Sequence, residues 1–251
     1  GAILMTVQAA LRSGVGLLTA FVPVSLAPKY AARFPEAMWM GCPETANGGL
    51  AAATLAEIQE RMSRATAIVI GPGLSAEAEC LALACAIVRE AQIPLLLDAD
   101  ALRSDIVAAA AKKRLILTPH TGEWQRLNDG AEFRPVRGGQ SAGDIVAVRK
   151  GYPTFLERCS GRSGSDVAIE PTIAYSFFGG PVLARGGSGD LLAGLIGGLL
   201  AQQPENLWLA AARGVVWHGL AADLLARAQG QVAVQTTQLL DYLHQALHAE
   251  R

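Results

Sequence analysis

Apolar positions along the chain fall into two alternating patterns. Stretches of roughly 10 to 15 residues rich in Ala and Leu repeat with the spacing of a helix that buries one face. Between them lie short runs of Val, Ile and Leu that stop at Gly, Pro or Asp, as buried strands do. The pattern predicts helices over 2–13, 26–33, 49–62, 76–91, 101–111, 121–128, 140–151, 189–202, 206–227 and 236–248. It predicts strands over 16–22, 36–40, 66–70, 94–98, 114–118, 153–158, 166–170 and 173–177. Strand, helix, strand in this order implies βαβ units around a mostly parallel sheet, an α/β fold.

Composition narrows the function classes. Of 251 residues, 51% are apolar and 17% charged, and 21 Lys plus Arg against 22 Asp plus Glu leave a formal charge of −1. A quarter charged is usual, so the chain expects a large core rather than disorder. A near-neutral surface offers no electrostatic footprint for nucleic acid or an anionic membrane. The longest strongly apolar run, Leu191 to Ala201, is broken by three glycines and is far shorter than the roughly 20 residues a bilayer needs. Cys42, Cys80, Cys85 and Cys159 form no C-x-x-C pair and have no histidine at zinc-ligand spacing, so no metal site is expected and a reducing cytoplasm fits. Nothing resembles a linker, and the whole of 1–251 reads as one domain. The chain opens at Gly1-Ala2-Ile3-Leu4, already inside the pattern, which leaves an upstream segment open.

Open α/β sheets bind ligands beyond the carboxyl ends of their strands. Four such ends carry unusual residues: Gly71-Pro72-Gly73, Asp98-Ala99-Asp100, Thr118 to Glu123, and Gly186 to Asp190 ahead of an apolar helix. All four are expected on one edge. A glycine-rich turn entering a helix turns several N–H groups toward an anion, and phosphate is the natural occupant. Asp190 beside that hole is positioned to take a proton from an attacking hydroxyl; the plainer reading is a helix cap. His120 can hydrogen-bond a ligand, although a lone histidine is more often structural. Glu123, three residues on, reads as half of a capping box. Of Asp98 and Asp100, at most one is expected to face the crevice.

Taken in order, Gly1-Ala2, Ala9 to Thr19, Ile70-Gly71-Pro72-Gly73-Leu74, Leu97-Asp98-Ala99-Asp100-Ala101-Leu102, Leu117 to Glu123 and Gly186 to Gly194 resemble the ADP/ATP-dependent NAD(P)H-hydrate dehydratase family. The resemblance spans nearly the whole chain. It implies a three-layer α/β/α sandwich of the ribokinase-like kind, with a mostly parallel central sheet. The implied activity dehydrates the S form of hydrated NADH or NADPH, with ADP or ATP as co-substrate and Mg2+ as its companion ion. Carried over position by position, Ala2, Gly73 and His120 would contact the hydrated dinucleotide, Gly187, Ser188 and Gly189 the nucleotide phosphate, and Asp190 the substrate as catalytic base.

The family also carries a Lys-Gly-x-x-Thr strip that contacts the nucleotide, and Lys150-Gly151-Tyr152-Pro153-Thr154 matches it by letter. With 140–151 read as a helix, the spacing from His120 and back from Gly186 instead places the lysine's equivalent at Arg158, with Gly161 and Arg162 behind it. The family's first strand and its glycine loop are expected to precede Gly1, so the domain is read as lacking its first strand, or as the carboxyl-terminal part of a chain that carries a fused epimerase. A separate epimerase and self-association into a homo-oligomer remain open as partners. Two other functions compete: a ribokinase-like kinase of a small alcohol such as a vitamin precursor, and a nucleotide-binding protein without catalysis.

Overall fold

The structure, a computed structural model, describes residues 1–129, 143–160 and 172–248. Helix α1 (Ala2–Arg12) leads to a pair of parallel strands, β1 (Thr19–Pro23) and β2 (Met38–Cys42), joined through α2 (Ala27–Arg33). Next come α3 (Thr54–Met62), β3 (Ile68–Ile70), α4 (Ala78–Glu90), β4 (Leu95–Leu97), α5 (Ser104–Ala109), β5 (Leu115–Leu117), α6 (Thr121–Asp129) and β6 (Asp144–Arg149). Strands β7 (Thr154–Ser160) and β8 (Thr172–Ser176) precede α7 (Ser188–Gln202), α8 (Leu207–Gln229) and the short α9 (Leu243–Ala246). The second sheet has the order β3-β4-β5-β6-β7-β8, parallel through β6 and antiparallel across β6–β7 and β7–β8.

Helices cover both faces of that sheet, which gives the expected three layers. Leu95 to Leu97 and Leu115 to Leu117 are wholly buried, because every residue of a central parallel strand meets a helix on one side or the other. Leu95, Leu97, Leu115, Leu117 and Ile145 pack with Leu83 of α4, Ile106 of α5 and Leu127 of α6. Their alternates Leu96, Ile116, Val146 and Val148 pack with Leu192 and Ile196 of α7 and Ala211 and Val215 of α8. Helix α1 lies against α7 so closely that a side chain on Gly194 would strike the carbonyl of Thr6 and one on Gly198 the hydroxyl of Ser13. That contact brings the start of the chain to the start of α7.

Two elements differ from the sequence reading, and the lesser is the helix expected over 236–248, which is a 3-10 helix over Thr236–Tyr242 followed by the short α9. The helix expected over 140–151 is strand β6 across its described part, and the six residues Asp144 to Arg149 hydrogen-bond to β5 and β7. A strand buried on both faces has a continuous apolar run instead of alternation, so periodicity alone does not separate it from a buried helix. The β-branched Ile145, Val146 and Val148, framed by Gly143 and Gly151, were the available signal. The antiparallel turn at β7 was likewise not foreseen. The strand expected over 166–170 lies outside the described residues.

Candidate active site

The parallel strands decide which residues meet. Leu96, Ile116 and Val148 face α7 and α8, so two residues further along each strand the side chain points the same way. Asp98, Thr118 and Lys150 therefore emerge from three adjacent strands, at one edge, on the α7 face. The hydroxyl of Thr118 donates to Asp98 Oδ1 at 2.8 Å, and the ammonium of Lys150 donates to the same oxygen at 2.8 Å. Asp98 is 1% exposed. Lys150 Nζ also stands 3.9 Å from Glu123 Oε2. Asp100, by contrast, accepts the N–H of Ser75 and stays out of this group.

Helix α7 begins beside them. Gly187 has φ +87°, a left-handed turn that favours glycine, and it opens a helix with no side chain capping its first amides. A side chain on Gly189 would come within 3.0 Å of Lys150 Nζ, so the ammonium and the free amides of α7 border one space. Such a helix start holds anions, and the lysine adds a full positive charge to it.

Asp190 lies in the first turn of α7. Burial, and then the nearby charge of Asp98, push its carboxyl above the usual range, while Lys150 pulls the other way. A half-buried carboxylate made more basic than an ordinary aspartate is suited to accept a proton. Behind the turn, burial drives His218 of α8 down to about 4, so its imidazole is neutral, and its Nε2 lacks a partner among the described residues.

The structure brings together most of the residues anticipated for the site. Ala2 and Gly73 adjoin, since a side chain on Gly73 would meet Ala2 Cβ at 3.7 Å. Met5 of α1 rests on Gly187, which ties that lip to the start of α7. His120 follows β5 and bridges to Lys150 in parallel register. Its Nδ1 accepts the N–H groups of Gly122 at 3.0 Å and Glu123 at 3.3 Å, while Glu123 Oε2 accepts the N–H of His120 at 2.7 Å. This is a reciprocal capping box with histidine as the cap, and it puts the imidazole proton on Nε2, 3.4 Å from Glu123 Oε1.

Arg158 does not join the group. It sits on β7 opposite Val146, and its guanidinium forks onto Asp144 at 2.9 and 3.0 Å, at the other end of β6 from Lys150. The spacing argument that selected Arg158 assumed a helix over 140–151; with β6 in its place, the letter match at Lys150 falls on a strand end at the site. Gly161 and Arg162 lie outside the described residues. Sequence reasoning thus passed over Lys150, and it left Asp98 and Thr118 without roles.

Beside Lys150 opens a depression of about 500 Å³, lined by Thr121, Arg149, Lys150, Gly151, Tyr152, Pro153, Phe155 and Tyr175. Arg149 is held between the rings of Trp124 and Phe155, 5.0 Å from each centroid. Among the described residues no three His, Cys, Asp or Glu side chains gather as a metal cage.

Comparison with known proteins places the fold and the family. The chain is 36% identical over 254 residues to the bifunctional NAD(P)H-hydrate repair enzyme Nnr of Moorella thermoacetica, covering 97% of this chain and 46% of that protein. It is 34% identical over 240 residues to the ADP-dependent (S)-NAD(P)H-hydrate dehydratase of Xanthomonas campestris, covering 92% and 78%. The crystal structure of the ADP/ATP-dependent NAD(P)H-hydrate dehydratase of Bacillus subtilis, co-crystallised with ATP/Mg2+, superposes at a TM-score of 0.72 and 26% identity over 100% of this chain and 85% of the other. The chain spans about half the length of the bifunctional relatives it matches. A family model described as NAD(P)H-hydrate dehydratase matches residues 1–245. With its ribokinase-like three-layer sandwich, the chain belongs to the NAD(P)H-hydrate dehydratase family.

Proposed function

We propose that the chain returns the S form of hydrated NADH or NADPH to the reduced cofactor, with cleavage of ADP or ATP. Hydroxide is a poor leaving group from the hydrated ring. Asp190 takes the proton of the ring hydroxyl as its oxygen attacks the terminal phosphorus, and the shortened nucleotide departs. The ring nitrogen's lone pair then expels phosphate, and loss of a proton from the neighbouring carbon restores the double bond. The amides of Gly187 to Gly189 and the Lys150 ammonium hold the phosphates and offset charge on the moving phosphoryl group. Mg2+ enters with the nucleotide, not as a resident ion.

Lys150 takes the position in the nucleotide strip that spacing had given to Arg158, and the depression beyond it accommodates the nucleoside. Ala2, Gly73 and His120 form the dinucleotide side. His120 reaches the ligand through an imidazole whose Nδ1 is already committed to its own helix. An epimerase, fused or separate, supplies the S form from its mirror configuration. Cys42, Cys80 and Cys85 are free and buried, and no described helix is long and apolar enough to cross a membrane; both suit a cytoplasmic repair enzyme.

The observation that carries the reading is the meeting of a half-buried Asp190, an uncapped glycine-rich helix start and the Lys150 ammonium at one point. The test is incubation with NADHX or NADPHX and ADP or ATP with Mg2+, following the return of NADH absorbance. A stable phosphorylated product without recovered NADH would point to a kinase; nucleotide binding without turnover would leave a binding protein.

A further inference from the structure

The lysine at the phosphate site does not point there unaided. A flexible four-carbon side chain ends in an ammonium that donates at 2.8 Å to a carboxylate only 2% exposed, and that carboxylate is held in turn by a buried hydroxyl at 2.8 Å. Thr118 is wholly buried and its own N–H donates to the carbonyl of Leu97 at 3.2 Å, so the chain of contacts ends on backbone. A buried ion pair is weak evidence for stability, because two charges lose their water to form it. It does fix the position of a mobile cation.

We propose that Asp98, anchored by Thr118, is a positioning residue that holds the Lys150 ammonium against the first turn of α7 where the phosphoryl group is transferred. This rests on the reading of the site given above. Asp98 touches no reacting atom and acts through Lys150 and through its charge on Asp190. The titratable and charged groups around Asp190 are Asp98 beyond β4, Lys150 beyond β6 with Glu123 of α6 behind it, and the neutral His218 of α8. After burial itself, Asp98 is the neighbour that raises the Asp190 carboxyl, against the lowering pull of Lys150.

Asp98→Asn keeps the shape and an acceptor for Thr118 and Lys150 but removes the charge. The expected result is a fall in kcat of roughly 10- to 100-fold, with the dissociation constant for ADP or ATP changed by less than about threefold. The acid limb of the kcat profile should move to lower pH, since Asp190 loses a neighbouring anion and ionises more readily. Thr118→Val, nearly isosteric, should lower kcat by roughly 3- to 10-fold without altering nucleotide affinity, and it decides the matter if Asp98→Asn fails to fold. Melting curves identify that case. Near-normal kcat with an unmoved acid limb in Asp98→Asn, or an unchanged kcat in Thr118→Val where Asp98→Asn does not fold, overturns the proposal. If wild-type protein assayed alongside returns no NADH with either nucleotide, the reaction itself is misassigned and this role falls with it.

Discussion

Exchanging the two cations tests the placement of the nucleotide most directly. Lys150→Met removes the ammonium that adjoins Gly189 while keeping most of the side chain's bulk. A charge-assisted contact to phosphate is worth about 1.5–3 kcal/mol, so affinity for ADP or ATP should fall by one to two decades. The same change leaves Asp98, at 1% exposure, without its cation. Breaking a buried pair from one side costs about 3–5 kcal/mol, which for a chain of this size lowers the melting temperature by roughly 6–20 °C. Arg158→Ala removes a partly exposed fork to Asp144 at the other end of the sheet; it should cost about 1 kcal/mol or less and leave nucleotide affinity alone. Calorimetric titration well below each variant's melting transition separates binding from folding. If Arg158→Ala loses nucleotide while Lys150→Met binds normally, the site is misassembled in this account and the spacing from His120 and Gly186 was the better guide.

Three further outcomes are expected. Asp190→Asn should reduce turnover by about 10²- to 10⁴-fold while nucleotide still binds in a titration. It should also raise the melting temperature at neutral pH: an acid whose folded pKa is raised costs stability once pH exceeds that value, and the gain should vanish as pH falls below the ordinary carboxylate range. Gly189→Val places carbon within 3.0 Å of Lys150 Nζ and across the phosphate path, so calorimetry should find weakened ADP and ATP binding, with unchanged affinity refuting the cradle. Gly194→Val drives a side chain into the Thr6 carbonyl and Ala9, and a melting curve should register a loss of about 1–3 kcal/mol or more as α1 parts from α7.

The strand ends were legible because chemistry there breaks the apolar pattern. Gly71, Asp98, Thr118 and Gly186 each interrupt a run that otherwise reads as core, and all four do open on one edge. Glu123 read correctly as a cap, but its partner was His120, because imidazole Nδ1 can accept amide hydrogens as a serine would. Lys150 was lost for a different reason. Its strand is buried on both sides, the masking of alternation made it look helical, and the error shifted the lysine's counterpart by eight residues onto a cation already paired with Asp144. Asp98 and Asp100 share a parity and would share a face on a longer strand; what separates them is that β4 ends at Leu97 and the chain turns over Ala99–Ala101, carrying Asp100 to the N–H of Ser75, and three leucines in a row do not reveal where that strand stops.

That parity sets a two-residue reading frame for the site. Asp98, Thr118 and Lys150 share a face because each stands an even number of residues beyond a side chain that packs on α7 and α8. Deleting a single residue from β4 would drop the aspartate into the slot of Leu97, facing α4 and α5, and offer Ala99 to Lys150 instead. Evolution can therefore swap side chains along these strands and stretch the loops between them, yet cannot change a strand's length by one without dismantling the site. The permitted step is two.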